Sequence, residues 1–118
     1  GTASEIANFA MGFVGYSYVW GGSSPSTGFD CSGLMYYVLT QYGYSMKRVA
    51  NDQMTQGTYV SRSDLQVGDL VFFGYSGYAN HVGGGNFVHA STPSTGVRVN
   101  SLDESYYKTR FLCGRRII

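Results

Sequence analysis

Charge is scarce in this sequence. Only 13% of its 118 residues are charged, and eight Lys and Arg against seven Asp and Glu leave a formal charge of +1. Nucleic-acid binders carry a basic stripe that this balance does not supply, so no polyanion partner is expected. The one locally basic stretch, Arg110 with Arg115 and Arg116, reads as the solvated edge of a terminal strand. Long apolar runs are missing as well. Nothing approaches the roughly 20 residues that cross a bilayer, and the chain opens at Gly1 without a signal-peptide pattern. Cysteine, histidine and proline occur twice each, with no paired C-x-x-C or H-x-x-x-H spacing. A zinc site drawn from Cys31, His81, His89 and Asp69 therefore ranks well below other uses of those side chains, and no metal or cofactor is expected.

Glycine and tyrosine are plentiful instead, at seventeen and eleven, and 43% of the chain is hydrophobic. Length and composition suit one compact, turn-rich domain over residues 1–118. "SEIANFAMGFVG" sets Ile6, Phe9, Ala10 and Phe13 at helical spacing, with Ser4 as N-cap and Gly15 just beyond the end. "YSYVWGGSSPSTGFD" is too rich in Gly, Ser and Pro for a regular element and predicts a loop around a short extended "YVW". "CSGLMYYVLTQYG" predicts a second helix capped by Asp30, with Leu34, Tyr37, Val38 and Gln41 on successive turns and Gly43 beyond its end. A short third helix is expected over "VANDQMTQG", with Val49, Gln53 and Gln56 on one side. Beyond Gly57, the runs "GDLVFFG", "NHVG", "NFVHAS", "GVRVN" and "FLCGRRII" predict an antiparallel sheet of about five strands. Helices first and strands after them make the fold α+β. Trp20 and the "VFF" of 71–73 are assigned to the core, and Cys113 to a buried apolar position.

With Asp30 as the cap, Cys31 occupies the first helical position, where unpaired N–H groups and the helix dipole favour negative charge. A thiol placed so ionises more readily than one in an unfolded chain. Gly33 leaves room for another chain to approach the sulfur. A disulfide between Cys31 and Cys113 would block it and is not expected. Both histidines fall in the predicted sheet, and an imidazole can hold the thiol's proton and hand it to a leaving amine. A cysteine at a helix start is usually inert, and a single histidine is more often structural. Together the three point to nucleophilic catalysis.

The segments "YVWGG", "FDCSGL", "VGDLVFF", "HVG" and "FVHAST", in this order, resemble the NlpC family of bacterial cell-wall cysteine peptidases. The likeness runs from about Tyr18 to the end of the chain. It implies a papain-like core, N-terminal helices packed on the sheet, and a single catalytic domain over residues 1–118. By resemblance Cys31 is the nucleophile, His81 the base and His89 the residue that orients its imidazole. Tyr18 would place its hydroxyl near the oxyanion, while Asp30 and Ser32 would hold the substrate amine. The implied partner is a peptidoglycan stem peptide, cut between γ-D-glutamate and a diamino acid. A secreted or cell-wall location follows from the same likeness, and a monomer is expected. Duller roles stay open: Asp30 as a helix cap only, Tyr18 as one core aromatic among eleven tyrosines, and Asp69 as support for a turn.

One stretch departs from the family pattern. The run from His81 through "VGGGN" to His89 is short, as if a few residues were missing. A two-residue loop at Gly84 and Gly85 would pair His81 with Val88 and put the histidines on opposite faces. A loop over 83–85 would pair His81 with Phe87 and return them to one face, diagonally offset. Two rival readings stand beside the endopeptidase: a CHAP-like N-acetylmuramoyl-L-alanine amidase, against which "FDCSGL" argues, and a catalytically silent wall-binding module, to which the shortened stretch gives weight.

Overall fold

The computed structural model describes residues 2–74, 78–83 and 85–118, with the backbone alone over 78–83. Helix α1 spans Ala3–Met11. Its cap is Thr2, whose hydroxyl accepts the Glu5 N–H at 3.2 Å, two residues before the expected Ser4. The helix also ends short of Gly15, yet Ile6, Ala10 and Phe13 are buried as the spacing required. A two-strand ribbon follows, β1 (Ser23–Ser24) and β2 (Gly28–Phe29). Helix α2 spans Cys31–Gln41, capped by Asp30 as expected, and Gly43 beyond it adopts φ +88°. Helix α3 is reduced to Ala50–Gln53, a single turn in which Gln53 is buried, and Val49, just before it at the N-cap, is half exposed.

The remaining strands are β3 (Thr58–Val60), β4 (Leu70–Phe73), β5 (Tyr78–Gly83), β6 (Asn86–Thr92), β7 (Gly96–Ser101) and β8 (Phe111–Arg116). They form one antiparallel sheet in the order β3-β8-β4-β5-β6-β7, so the fold is α+β. The sheet has six strands because the short β3, not expected from the sequence, adds to β8. Strand β8 is consequently not an edge. Arg116 on it, though 36% exposed, is not left to solvent alone: its guanidinium grips Asp69 through two bonds, at 2.9 and 2.8 Å. Arg110 stacks on the Tyr106 ring, 4.0 Å from its centre. Asp69, 2% exposed, also accepts the Gln66 N–H at 2.8 Å and so supports the turn before β4.

Both faces of the sheet are covered. Helices α1 and α2 lie against β5 and β6. On that side Ile6, Leu34, Met35 and Val38 pack with Leu70, Phe72, Val88 and Ala90. Alternation along the strands sends Val71, Phe73 and Phe87 to the other side, where they meet Leu102 and Tyr107. Tyr107 belongs to helix α4 (Ser105–Arg110), an element absent from the expected list. The "VFF" run is thus buried from both sides, and Cys113 sits in the core as expected.

The register around the histidines combines the two alternatives. His81 pairs with Phe87, then the ladder slips, and Gly83 pairs with Asn86. The side chain of His81, and Gly84 within the run that reads as shortened, lie outside the described residues.

Candidate active site

Cys31 is placed by the segment that precedes it. Val19 N–H donates to the Phe29 carbonyl at 3.0 Å and Phe29 N–H to the Ser17 carbonyl at 3.0 Å, which pins Tyr18 beside the start of α2. Burial first, then the Cys31 sulfur and the Asp30 carboxylate, push the Tyr18 phenol above its ordinary range. It therefore keeps its proton, and its capacity to donate, at neutral pH.

Trp20 corrects an expectation. It is 87% exposed, not core. Gly22 N–H closes a turn on the Val19 carbonyl at 2.9 Å with Gly21 at φ +77°, which puts Trp20 at the outer corner. Trp20, Tyr18 and Cys31 together border two hollows. One, of about 670 Å³, continues to His89, Arg98, Asn100 and Glu104. The other, of about 430 Å³, continues to Asp30, Ser32, Arg48 and Val49. The sulfur thus lies in a groove open on both sides, the layout an extended peptide needs to lie across a reacting atom.

Asp30 is heavily engaged. Its carboxylate accepts five hydrogen bonds: from Gly33 N–H at 2.7 Å, Gly21 N–H at 3.0 Å, the Ser32 hydroxyl at 3.2 Å and two Arg48 nitrogens at 3.2 Å each. Arg48 also donates to the Ser32 hydroxyl at 2.7 Å. Two carboxylate oxygens offer about four lone-pair sites, so protein donors alone fill Asp30. Sequence reasoning missed Arg48. Its carrier loop is tied down by Gln53, whose Nε2 donates to the Lys47 carbonyl at 2.7 Å and the Ser32 carbonyl at 3.3 Å. Gly33 is also not small for a visiting chain's sake: a Cβ there would collide with the Gly22 carbonyl of the protein's own loop.

His89 is 5% exposed and held against the Phe87 and Tyr107 rings, with centroids at 4.8 and 5.5 Å. Its Nε2 lies 2.6 Å from Asn100 Oδ1, and Asn100 Nδ2 donates to both Glu104 oxygens at 3.1 Å. Burial lowers the His89 pKa, outweighing the opposing Asn100 bond, so the ring is neutral at neutral pH. The Ser101 N–H, at 2.6 Å, and Asn100 hold the Glu104 carboxyl below its usual range. The S-x-x-E of Ser101 to Glu104 is a signal in the sequence for the Glu104 half of this turn, while the Ser101 hydroxyl accepts the Asp103 N–H at 3.1 Å.

Asp69 is spent on Arg116 and Gln66, away from this groove. Among the described residues no three His, Cys, Asp or Glu side chains gather as a metal site.

Cys31 and Cys113 are both thiols. Burial, the largest influence, pushes the Cys113 thiol up and keeps it protonated at neutral pH. Iodoacetamide at pH 7.5 is therefore expected to alkylate native protein once, at Cys31, by peptide mass mapping. Equal labelling of Cys113 would contradict the core placement.

Comparison with known proteins agrees with this layout. The NlpC/P60 family model matches residues 15–116. Over 123 aligned residues the chain is 38% identical to the gamma-D-glutamyl-L-lysine dipeptidyl-peptidase of Bacillus subtilis (strain 168), covering 98% of this chain and 41% of that protein. It is 37% identical to the murein DD-endopeptidase MepH of Escherichia coli (strain K12), covering 98% of this chain and 46% of that one. An NlpC/P60 family protein from Bacillus cereus ATCC 10987 superposes with a TM-score of 0.92 at 30% identity, over 99% of this chain and 40% of that chain. The chain spans less than half the length of each of these proteins. Since the match takes in the Tyr18 loop, the Cys31 helix and the whole sheet, this chain belongs to the NlpC/P60 family.

Proposed function

We propose that this chain is a single catalytic domain, a cysteine endopeptidase that cuts peptidoglycan stem peptides between γ-D-glutamate and a diamino acid. The observation that carries the reading is the sulfur of Cys31 at the head of a capped helix, in a groove that it shares with His89. The Cys31 thiolate attacks the scissile carbonyl, and the carbonyl oxygen gathers charge beside the Tyr18 hydroxyl. His81, whose proton came from the thiol, protonates the departing amine. Water then releases the acyl group from sulfur, and the thiol is restored. His89 orients the His81 ring. Asp30 and Ser32, already bound to Arg48, act as the fixed wall of the second hollow rather than as open acceptors for an amine.

Of the relatives named above, one is by its name a gamma-D-glutamyl-L-lysine dipeptidyl-peptidase and another a murein DD-endopeptidase. Family membership thus supports a wall substrate met outside the cytoplasm, and the choice of bond is ours. Digestion of defined stem peptides, with products read by mass spectrometry, tests it. The expected product pair is a peptide ending in γ-D-glutamate and one beginning with the diamino acid. Release of the stem from muramic acid would instead mark the amidase, and binding without any product the silent module.

A further inference from the structure

We infer that Glu104 and Asn100 are positioning residues that lock His89 into one tautomer, with the proton on Nε2 and a lone pair on Nδ1. A carboxylate accepts and never donates, so Glu104 requires the NH₂ group of Asn100 to face it, as the two 3.1 Å contacts record. The Asn100 oxygen must then face His89. An oxygen 2.6 Å from Nε2 of a neutral ring demands a proton on that nitrogen. Polarity therefore runs one way, from His89 through Asn100 to Glu104, and ends on a carboxylate anchored by the Ser101 N–H at 2.6 Å. Phe87 and Tyr107 pack against the ring and keep it from turning over. The consequence is that Nδ1 of His89 can only accept. A residue whose task is to hold the N–H of a neighbouring imidazole needs that polarity.

The effect on rate rests on the roles given above to Cys31 and His81; the tautomer itself does not. Glu104 is exposed and can be replaced without disturbing the core. Glu104→Lys puts a donor where the acceptor was, so Asn100 should turn its oxygen to residue 104 and its NH₂ to His89. Glu104→Gln keeps an acceptor and should keep the wild-type polarity. Nitrogen-15 NMR of the His89 ring is expected to show Nε2–H in the wild type and Glu104→Gln, and Nδ1–H in Glu104→Lys. On stem peptides, kcat of Glu104→Lys should fall roughly a hundredfold with KM within about threefold, because a wrongly protonated imidazole misdirects the base. Glu104→Gln should stay within about threefold of wild type. An unchanged His89 tautomer in Glu104→Lys would overturn the inference, and so would a switched tautomer with undiminished kcat. Were the wild-type protein inactive on every wall peptide, the endopeptidase reading would fall, and the NMR comparison would still decide whether Glu104 sets the ring.

Discussion

Cys31→Ala is expected to abolish hydrolysis of stem peptides, lowering kcat/KM by about four orders of magnitude or more. An alanine methyl can neither form the acyl intermediate nor activate water in its place. What survives is the capacity of the groove to bind. Cys31 is only partly buried, and the cap on its helix comes from the neighbouring Asp30 side chain, so the variant should fold and melt like the parent. Cys113→Ala is the matched control. It removes the other thiol from the core and leaves the groove untouched, so turnover should persist. Product formation by the Cys31 variant, followed by chromatography of a purified stem peptide, would end the endopeptidase reading.

Asp30→Ala should destabilise the domain as well as silence it. The substitution removes the N-cap of α2 and leaves the Arg48 guanidinium without its carboxylate. Arg48 is about a third exposed, so water screens part of the loss. Together the lost cap and the partly screened pair amount to roughly 3 kcal/mol. For a domain of this size that is a fall in Tm of about 10 °C. The Gly21 and Gly22 segment loses its anchor at the same time, because Gly21 N–H donates to the same carboxylate. Activity should fall even at temperatures where the variant stays folded. If Asp30→Ala melts within about 2 °C of the parent, the five bonds at this carboxylate contribute little, and Asp30 is open to contact substrate after all.

What could be read from the sequence was the local part of this arrangement. Helix α2 announces itself through Asp30, the spacing of Leu34 and Val38, and Gly43, because caps and periodicity act within a few residues. The alternation that buries Val71 and Phe73 against one layer and Leu70 and Phe72 against the other is equally local. Arg48 was invisible because its partner lies 18 positions away and meets it only once the loop after α2 folds back. Trp20 was misplaced for a related reason: an indole is apolar, but a glycine at the third position of its turn throws it outward. Strand β3 and helix α4 are short, and their partly polar residues carry little pattern of either period. Strand β8 looked like an edge because nothing in its own residues tells which strand will lie outside it.

That last placement has a bearing on how the protein is made. Residues 111–116 lie between β3 and β4, so the ladder joining 58–60 to the rest of the sheet passes through them. A ribosome releases the Cys31 helix and the histidine strands well before that keystone emerges. Until it is inserted, Leu70 and Phe72 lack the neighbour that completes their layer, and Arg116 is not there to meet the Asp69 carboxylate. The apolar layer beneath the Cys31 helix is therefore complete only when sequence-distant segments zip together. Such closure is slow compared with helix formation, so the core on which the Cys31 helix rests is the last part to set.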